Sequence, residues 1–175
     1  ARMSFSTADT IVAIATPPGQ GGVGIVRLSG PQAWDIAGRL FVRRQHSAIR
    51  PQRLYYGRII DPVTEETLDD GLVACMRGPH SYTGEDVAEI NAHGAPVMLQ
   101  RIVAAALALG ARAAEPGEMT LRAFLHGRID LAQAEAVADL IAAQSDAAAR
   151  QARGQLDGRL SVKIQAARAE ILHAL

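Results

Sequence analysis

At 175 residues the chain has room for one domain of ordinary size and a smaller second element. It is 49% hydrophobic, which excludes a disordered chain, and only 4% aromatic, so alanine, valine and leucine must carry the packing. Eighteen basic residues balance eighteen acidic ones, which excludes a polybasic nucleic-acid module and leaves any nucleic-acid contact to a local patch or another domain.

Thr10 to Thr16 reads as a strand, and Pro17-Pro18-Gly19-Gln20-Gly21-Gly22 as a turn cluster leading into a second strand, Gly24 to Ser29. Pro31 suits the first turn of a helix with Ala33, Trp34, Ala37, Leu40 and Phe41 on one face. Residues 43 to 52 read as a polar loop. Leu54 to Asp61 and Gly71 to Met76 are predicted to form a hairpin, and Val87 to Ala92 a further strand. Ala95 to Leu109 is predicted as a helix with Pro96 at its start and Gly110 at its end, and Ala111 to Ala114 as a last short strand. The character changes at Glu115-Pro116-Gly117, which predicts domains over 1–117 and 118–175, the second helical. Asp130 with Gln133 has the spacing of a capping box, and Ser145 suits the cap of the next helix. Leu156, Leu160, Ile164, Ala167, Ile171 and Leu175 recur at helical spacing, so the chain reads as a fragment ending inside a helical domain.

Cys75 is the only cysteine; it lies in the apolar run Gly71 to Met76, where a buried, inert thiol is expected. The histidines lack zinc-ligand spacing. No apolar signal-peptide core is visible, and the run Val97 to Leu109 is too short to span a bilayer, so a cytoplasmic location is expected.

Gly19-x-Gly21-x-x-Gly24 matches a dinucleotide fingerprint, but Ile25-Val26-Arg27-Leu28 continues as a strand where that motif needs a helix N-terminus. No acid falls between Asp35 and Asp61, where the ribose carboxylate belongs. A glycine-rich hairpin loop is the better reading. The single lysine, Lys163, lies in the C-terminal helical pattern and not in a phosphate-binding loop, so this stretch carries no nucleoside-triphosphatase site of that type.

The segment Ser81 to Gly94 is the most informative. A polar turn enters an alternating strand with a carboxylate at its middle, Glu89; the pattern alone leaves Glu89 open between a solvent-facing residue and a functional one. His93 reads as a turn histidine near a binding pocket. The stretch YTGEDVAEINAHG, residues 82–94, resembles a segment of the MnmE/TrmE family of tRNA-modification GTPases. So do Asp9 to Gly19 with Gly21 to Gly30, Pro116 to Leu125, and Arg128 to Ile141, in the family's order and spacing; only Val42 to Thr67 departs.

The resemblance implies an α/β (α+β) mixed-sheet fold like the folate domain of glycine-cleavage T-proteins, followed by the start of an all-helical domain. It implies binding of 5-formyltetrahydrofolate through Arg27, Glu89 and Arg128, with no catalytic residue in this stretch. Glu89 would meet the pterin edge from a shielded position and Arg27 the glutamate tail nearer solvent. Arg128 stands where members commonly have lysine, which exchanges a point charge for a forked donor. Ala92 stands where many have cysteine, so no thiol chemistry is assigned there. The resemblance further implies a homodimer, C5 modification of the wobble uridine of tRNA, and an FAD-containing partner, MnmG (GidA). GTP, potassium and magnesium would act only in a GTPase domain outside this chain. Two other classes compete: a stand-alone folate-dependent one-carbon transferase, with Asp86 or His93 as acid/base, and a ligand-free dimerisation module.

Overall fold

The structure, a computed structural model, describes residues 8–44 and 49–173. Its contacts divide the chain into two units, with the boundary between Met119 and Thr120. The first holds β1 (Ile11–Ile14), β2 (Gly21–Ser29), α1 (Ala33–Leu40), β3 (Phe41–Arg43), β4 (Leu54–Ile60), β5 (Thr67–Met76), β6 (Val87–Gly94), α2 (Pro96–Ala108) and β7 (Arg112–Ala113). Four helices follow: α3 (Glu118–Leu125), α4 (Leu131–Ala142), α5 (Asp146–Leu156) and α6 (Arg159–His173).

The strands form one seven-stranded sheet in the order β3-β4-β5-β6-β2-β1-β7. All pairs are antiparallel except β1 with β7, which makes the sheet mixed. The expected α/β class is therefore the observed one. β1 and β2 form the expected glycine-rich hairpin, with Ile14 opposite Val26. Gly24, third glycine of the fingerprint-like run, lies within β2, and a Cβ there would sit 2.5 Å from Leu99 Cδ1 of α2. The glycine thus serves helix–sheet packing.

α1 buries Ala33, Ile36, Ala37 and Leu40, the i, i+3, i+4, i+7 stripe of a helix on a sheet. Two details differ from the predicted face. Ile36 takes the inner position given to Trp34, whose indole N–H reaches the Met76 carbonyl (3.2 Å) at the rim, and Phe41 begins β3. α2 buries Leu99, Ile102, Ala105 and Ala106. These side chains meet Val26, Leu28, Val73, Cys75, Ala88, Ile90 and Ala92 on one sheet face. Each fully buried branched side chain contributes about 1.5–3 kcal/mol. Gly110, at φ +100°, ends α2, and the Ala111 N–H reaches back to the Ala106 carbonyl (3.1 Å). Arg112 ties both ends of this unit together, binding Asp9 (2.6 Å) and the buried Glu118 (2.6 Å).

In the second unit Asp130 and Gln133 form the expected capping box, and Ser145 accepts from the Ala148 N–H (3.2 Å). The apolar pattern from Leu156 onward is not one helix. Gly158, at φ +82°, breaks it after α5, and α6 restarts at Arg159. Gln133 donates to the Leu156 carbonyl (2.7 Å) and Ser161 to Asp130, so the cap of α4 also holds the α5–α6 corner. The side chains of Ala167 and Ile171, Leu175 altogether, and part of the expected 43–52 loop lie outside the described residues. No helix among the described residues is long and apolar enough to cross a membrane.

Candidate functional site

Strand alternation decides what each face of the sheet carries. With Val26, Leu28, Ala88 and Ile90 turned to the helices, the intervening residues face the other way. The register places Arg27 of β2 opposite Glu89 of β6 on that second face. Arg27 Nε donates to Glu89 Oε1 (2.8 Å), and Arg27 Nη2 lies 2.7 Å from the same oxygen. Glu89 Oε2 has no protein partner among the described residues. The side chains are 26% and 22% exposed, so the expected contrast between a shielded Glu89 and a solvent-facing Arg27 is not present. Cross-strand pairing gives both the same depth.

The 77–86 segment walls the pair on one side. Asp86 accepts from the Gly78 N–H (3.0 Å) and from Arg77 (2.8 Å), and its carbonyl accepts from the Gly30 N–H (2.9 Å). Ser29 donates to Glu85 Oε2 (2.6 Å) and lies 2.6 Å from the Thr83 hydroxyl. These buried and half-buried bonds hold the intervening residue, Tyr82, with its ring 5.6 Å from the Arg27 guanidinium carbon. Asp86 thus has a loop-fixing role on view.

A cleft of about 520 Å³ opens on the same face, lined by Val23, Tyr56, Gly71, Leu72, Asn91 and His93 among others. Tyr56, Leu72 and Asn91 occupy neighbouring register positions, one same-face step along the strands from Glu89. That step is about 7 Å. His93 is not in a turn, because β6 continues to Gly94. Its ring Nδ1 lies 2.8 Å from Asp69 Oδ1, and its backbone N–H donates to Asp69 Oδ2 (2.8 Å). This raises the imidazole above its ordinary value of 6.5, the hydrogen bond to Asp69 being the main cause. Burial pushes the Asp69 carboxyl up, but bonds from the His93 ring, the His93 N–H and the Asp70 N–H outweigh it, leaving it below 3.8. No group of three metal-ligating side chains occurs among the described residues.

Arg128 lies in the second unit, exposed, in the turn between α3 and α4, with its N–H on the Ala123 carbonyl (2.9 Å). The structure therefore brings together Arg27 and Glu89, and Arg128 belongs to the other unit. Sequence reasoning missed Tyr82, Asp69 and the Ser29–Thr83–Glu85 cluster. Each depends on contacts across tens of residues, which no local pattern marks.

A mixed sheet with α1 and α2 on one face and an ion pair and a cleft on the other, followed by helices, defines an α/β domain joined to a helical unit. The chain belongs to the family described as GTP-binding protein TrmE N-terminus, which it matches over residues 10–128. It is 53% identical over 95% of its length to a protein of Chloroflexus aurantiacus named tRNA modification GTPase MnmE, covering 37% of that protein. Proteins of the same name from Geobacter sulfurreducens (52%, covering 37%) and Oceanobacillus iheyensis (51%, covering 36%) match over the same 95% of the chain. The chain thus spans little more than a third of these relatives.

Proposed function

We propose that this chain is the folate-holding part of a tRNA-modification GTPase, and that it binds 5-formyltetrahydrofolate at Arg27 and Glu89, on the sheet face opposite α1 and α2. The observation that carries this reading is the half-used carboxylate. Arg27 fixes Glu89 through Oε1 and leaves Oε2 as an acceptor beside an apolar-lined cleft. A pterin edge offers an amino group and a ring N–H side by side, and charge-assisted bonds to such donors are worth about 1.5–3 kcal/mol each when shielded. The remaining donor capacity of Arg27 suits a carboxylate of the glutamate tail. Arg128 is the third contact by its match to the family position.

When bound, the folate supplies the one-carbon unit. The chain's own residues bind and orient it: Tyr82 backs the Arg27 guanidinium, and the Ser29–Thr83–Glu85 bonds fix Tyr82. In the whole protein this unit serves C5 modification of the wobble uridine of tRNA in the cytoplasm, with MnmG as FAD-containing partner. GTP, potassium and magnesium act in the GTPase domain. Exposed Val23 and Leu72 at this cleft support pairing of the domain with a second copy.

The test is calorimetry of the chain with 5-formyltetrahydrofolate. Saturable binding that Glu89→Gln weakens by about 1.5 kcal/mol or more agrees with the reading. Binding that survives Glu89→Gln unchanged would remove folate from this strand.

A further inference from the structure

A second surface carries chemistry that the folate reading does not use. Arg39, Arg43, Arg44, Arg50, Arg53 and Arg58 fall between Asp35 and Asp61 with no carboxylate among them. A chain of zero formal net charge therefore concentrates a third of its eighteen cations in one short stretch. The fold gathers several of these at the β3–β4 edge of the sheet. A cleft of about 380 Å³ there is lined by Arg43, Arg44, Arg53, Leu54, Tyr55 and Tyr56. Elsewhere Arg27, Arg77, Arg101, Arg112 and Arg153 are paired with carboxylates. Among the described residues, none of Arg43, Arg44 and Arg53 forms an ion pair.

Two of these guanidiniums lie over rings: Arg43 is 5.6 Å from the Tyr55 centroid and Arg44 is 4.9 Å from that of Tyr56. Stacking restrains a guanidinium and leaves its N–H fork free for an incoming anion. Arg43 Nη1 is also buried without a hydrogen-bond partner among the described residues.

We propose that the β3–β4 edge, through Arg43, Arg44 and Arg53 with Tyr55 and Tyr56, is a contact surface for the phosphate backbone of RNA. Forked donors match phosphate oxygens, and the exposed Tyr56 ring offers a face for an unstacked base. Arginine and tyrosine together, without lysine or acid, favour RNA over an acidic protein segment. The RNA identity rests on the reading that the parent protein acts on tRNA; Tyr56 also lines the cleft beside Glu89, whereas Arg43, Arg44 and Arg53 lie apart from Arg27 and Glu89 in sequence and strand order.

The test measures binding of an unmodified tRNA anticodon stem–loop to the chain by fluorescence anisotropy over a salt series. Two variants are compared: Arg43→Ala/Arg44→Ala/Arg53→Ala, and Arg44→Glu/Arg53→Glu, which alters only exposed side chains and so keeps the fold out of question. Both are expected to lose more than about tenfold in affinity, with the slope of log K against log salt falling by about 0.7–0.9 for each phosphate no longer engaged. Tyr56→Ala is expected to weaken binding with the slope unchanged. No RNA affinity in the wild-type chain, equal affinity and slope in the arginine variants, or displacement of RNA by polyglutamate of equal charge concentration would each overturn the proposal. Calorimetry with 5-formyltetrahydrofolate on the same samples separates the two readings. Arginine-dependent RNA binding without folate binding leaves this surface standing and removes the folate site. Folate binding with arginine-independent RNA binding does the reverse.

Discussion

Arg27 and Glu89 are direct cross-strand neighbours 62 residues apart in the chain, and both guanidinium contacts fall on one carboxylate oxygen. The pair is a unit, so neither side chain keeps its geometry when the other is removed. Arg27→Ala and Glu89→Ala are therefore expected to weaken folate binding to a similar extent, because the two residues share one depth. Their combination is expected to cost less than the sum, with a coupling of about 0.5–3 kcal/mol. A double-mutant cycle by calorimetry measures this, and strict additivity would mean that the residues act separately.

The Asp69–His93 contact sets a pH window. His93 has its pKa raised above 6.5, so its contribution is complete below 6.5 and is lost as pH rises through the folded value. Asp69 has its pKa lowered below 3.8, so its contribution is complete above 3.8 and is lost as pH falls through the folded value. The contact is at full strength between these limits. An NMR titration of the His93 ring is expected to give a pKa above 6.5, and Asp69→Asn to bring it down. An unchanged titration in Asp69→Asn would show that the carboxylate does not hold the ring.

Cys75 is fully buried on the helix face of β5, and desolvation, the largest cause, pushes its thiol up to about 11. The thiolate is the reactive form. Native protein at pH 8 is expected to resist alkylation and to react at once when unfolded in denaturant. Fast labelling of the native chain, followed by mass spectrometry, would show that the strand opens locally.

Gly30 sits at φ +129°, and a Cβ there would lie 2.5 Å from the Asp9 carbonyl oxygen and 2.7 Å from Thr10 Cα. Both obstacles are backbone, so they cannot swing away. The backbone conformation alone costs a non-glycine residue about 1–3 kcal/mol, and the clash adds to it. Gly30→Ala is expected to destabilise the first unit by at least that amount in urea unfolding followed by Trp34 fluorescence.

Asp130 accepts from the Gln133 N–H (2.9 Å) and from Ser161. Asp130→Ala removes the cap of α4 and the tie to α6 together. A helix cap alone is worth about 0.5–2 kcal/mol. The substitution is expected to reduce helical circular dichroism and to increase amide exchange in 131–142, whereas Ser145→Ala affects only the start of α5.

Local chemistry was enough to write down most elements. Periodicity located α1 and α2, Pro96 and Gly110 bounded α2, and the Asp130–Gln133 spacing announced its capping box, because these depend on hydrogen bonds and packing within one or two turns. Four sequence blocks in register were enough for the family. The break at Gly158 was hidden: the apolar spacing runs through it, and only the corner contacts of Gln133 and Ser161 reveal that two helices share the pattern. Glu89 could be recognised as an unusual strand residue but not assigned a partner. Its pairing with Arg27, the junction of His93 with Asp69, and the gathering of Arg43, Arg44 and Arg53 around two tyrosines follow from strand register and sheet order. Those are fixed by closure of long loops over a shared core, an energy that no short window of sequence contains.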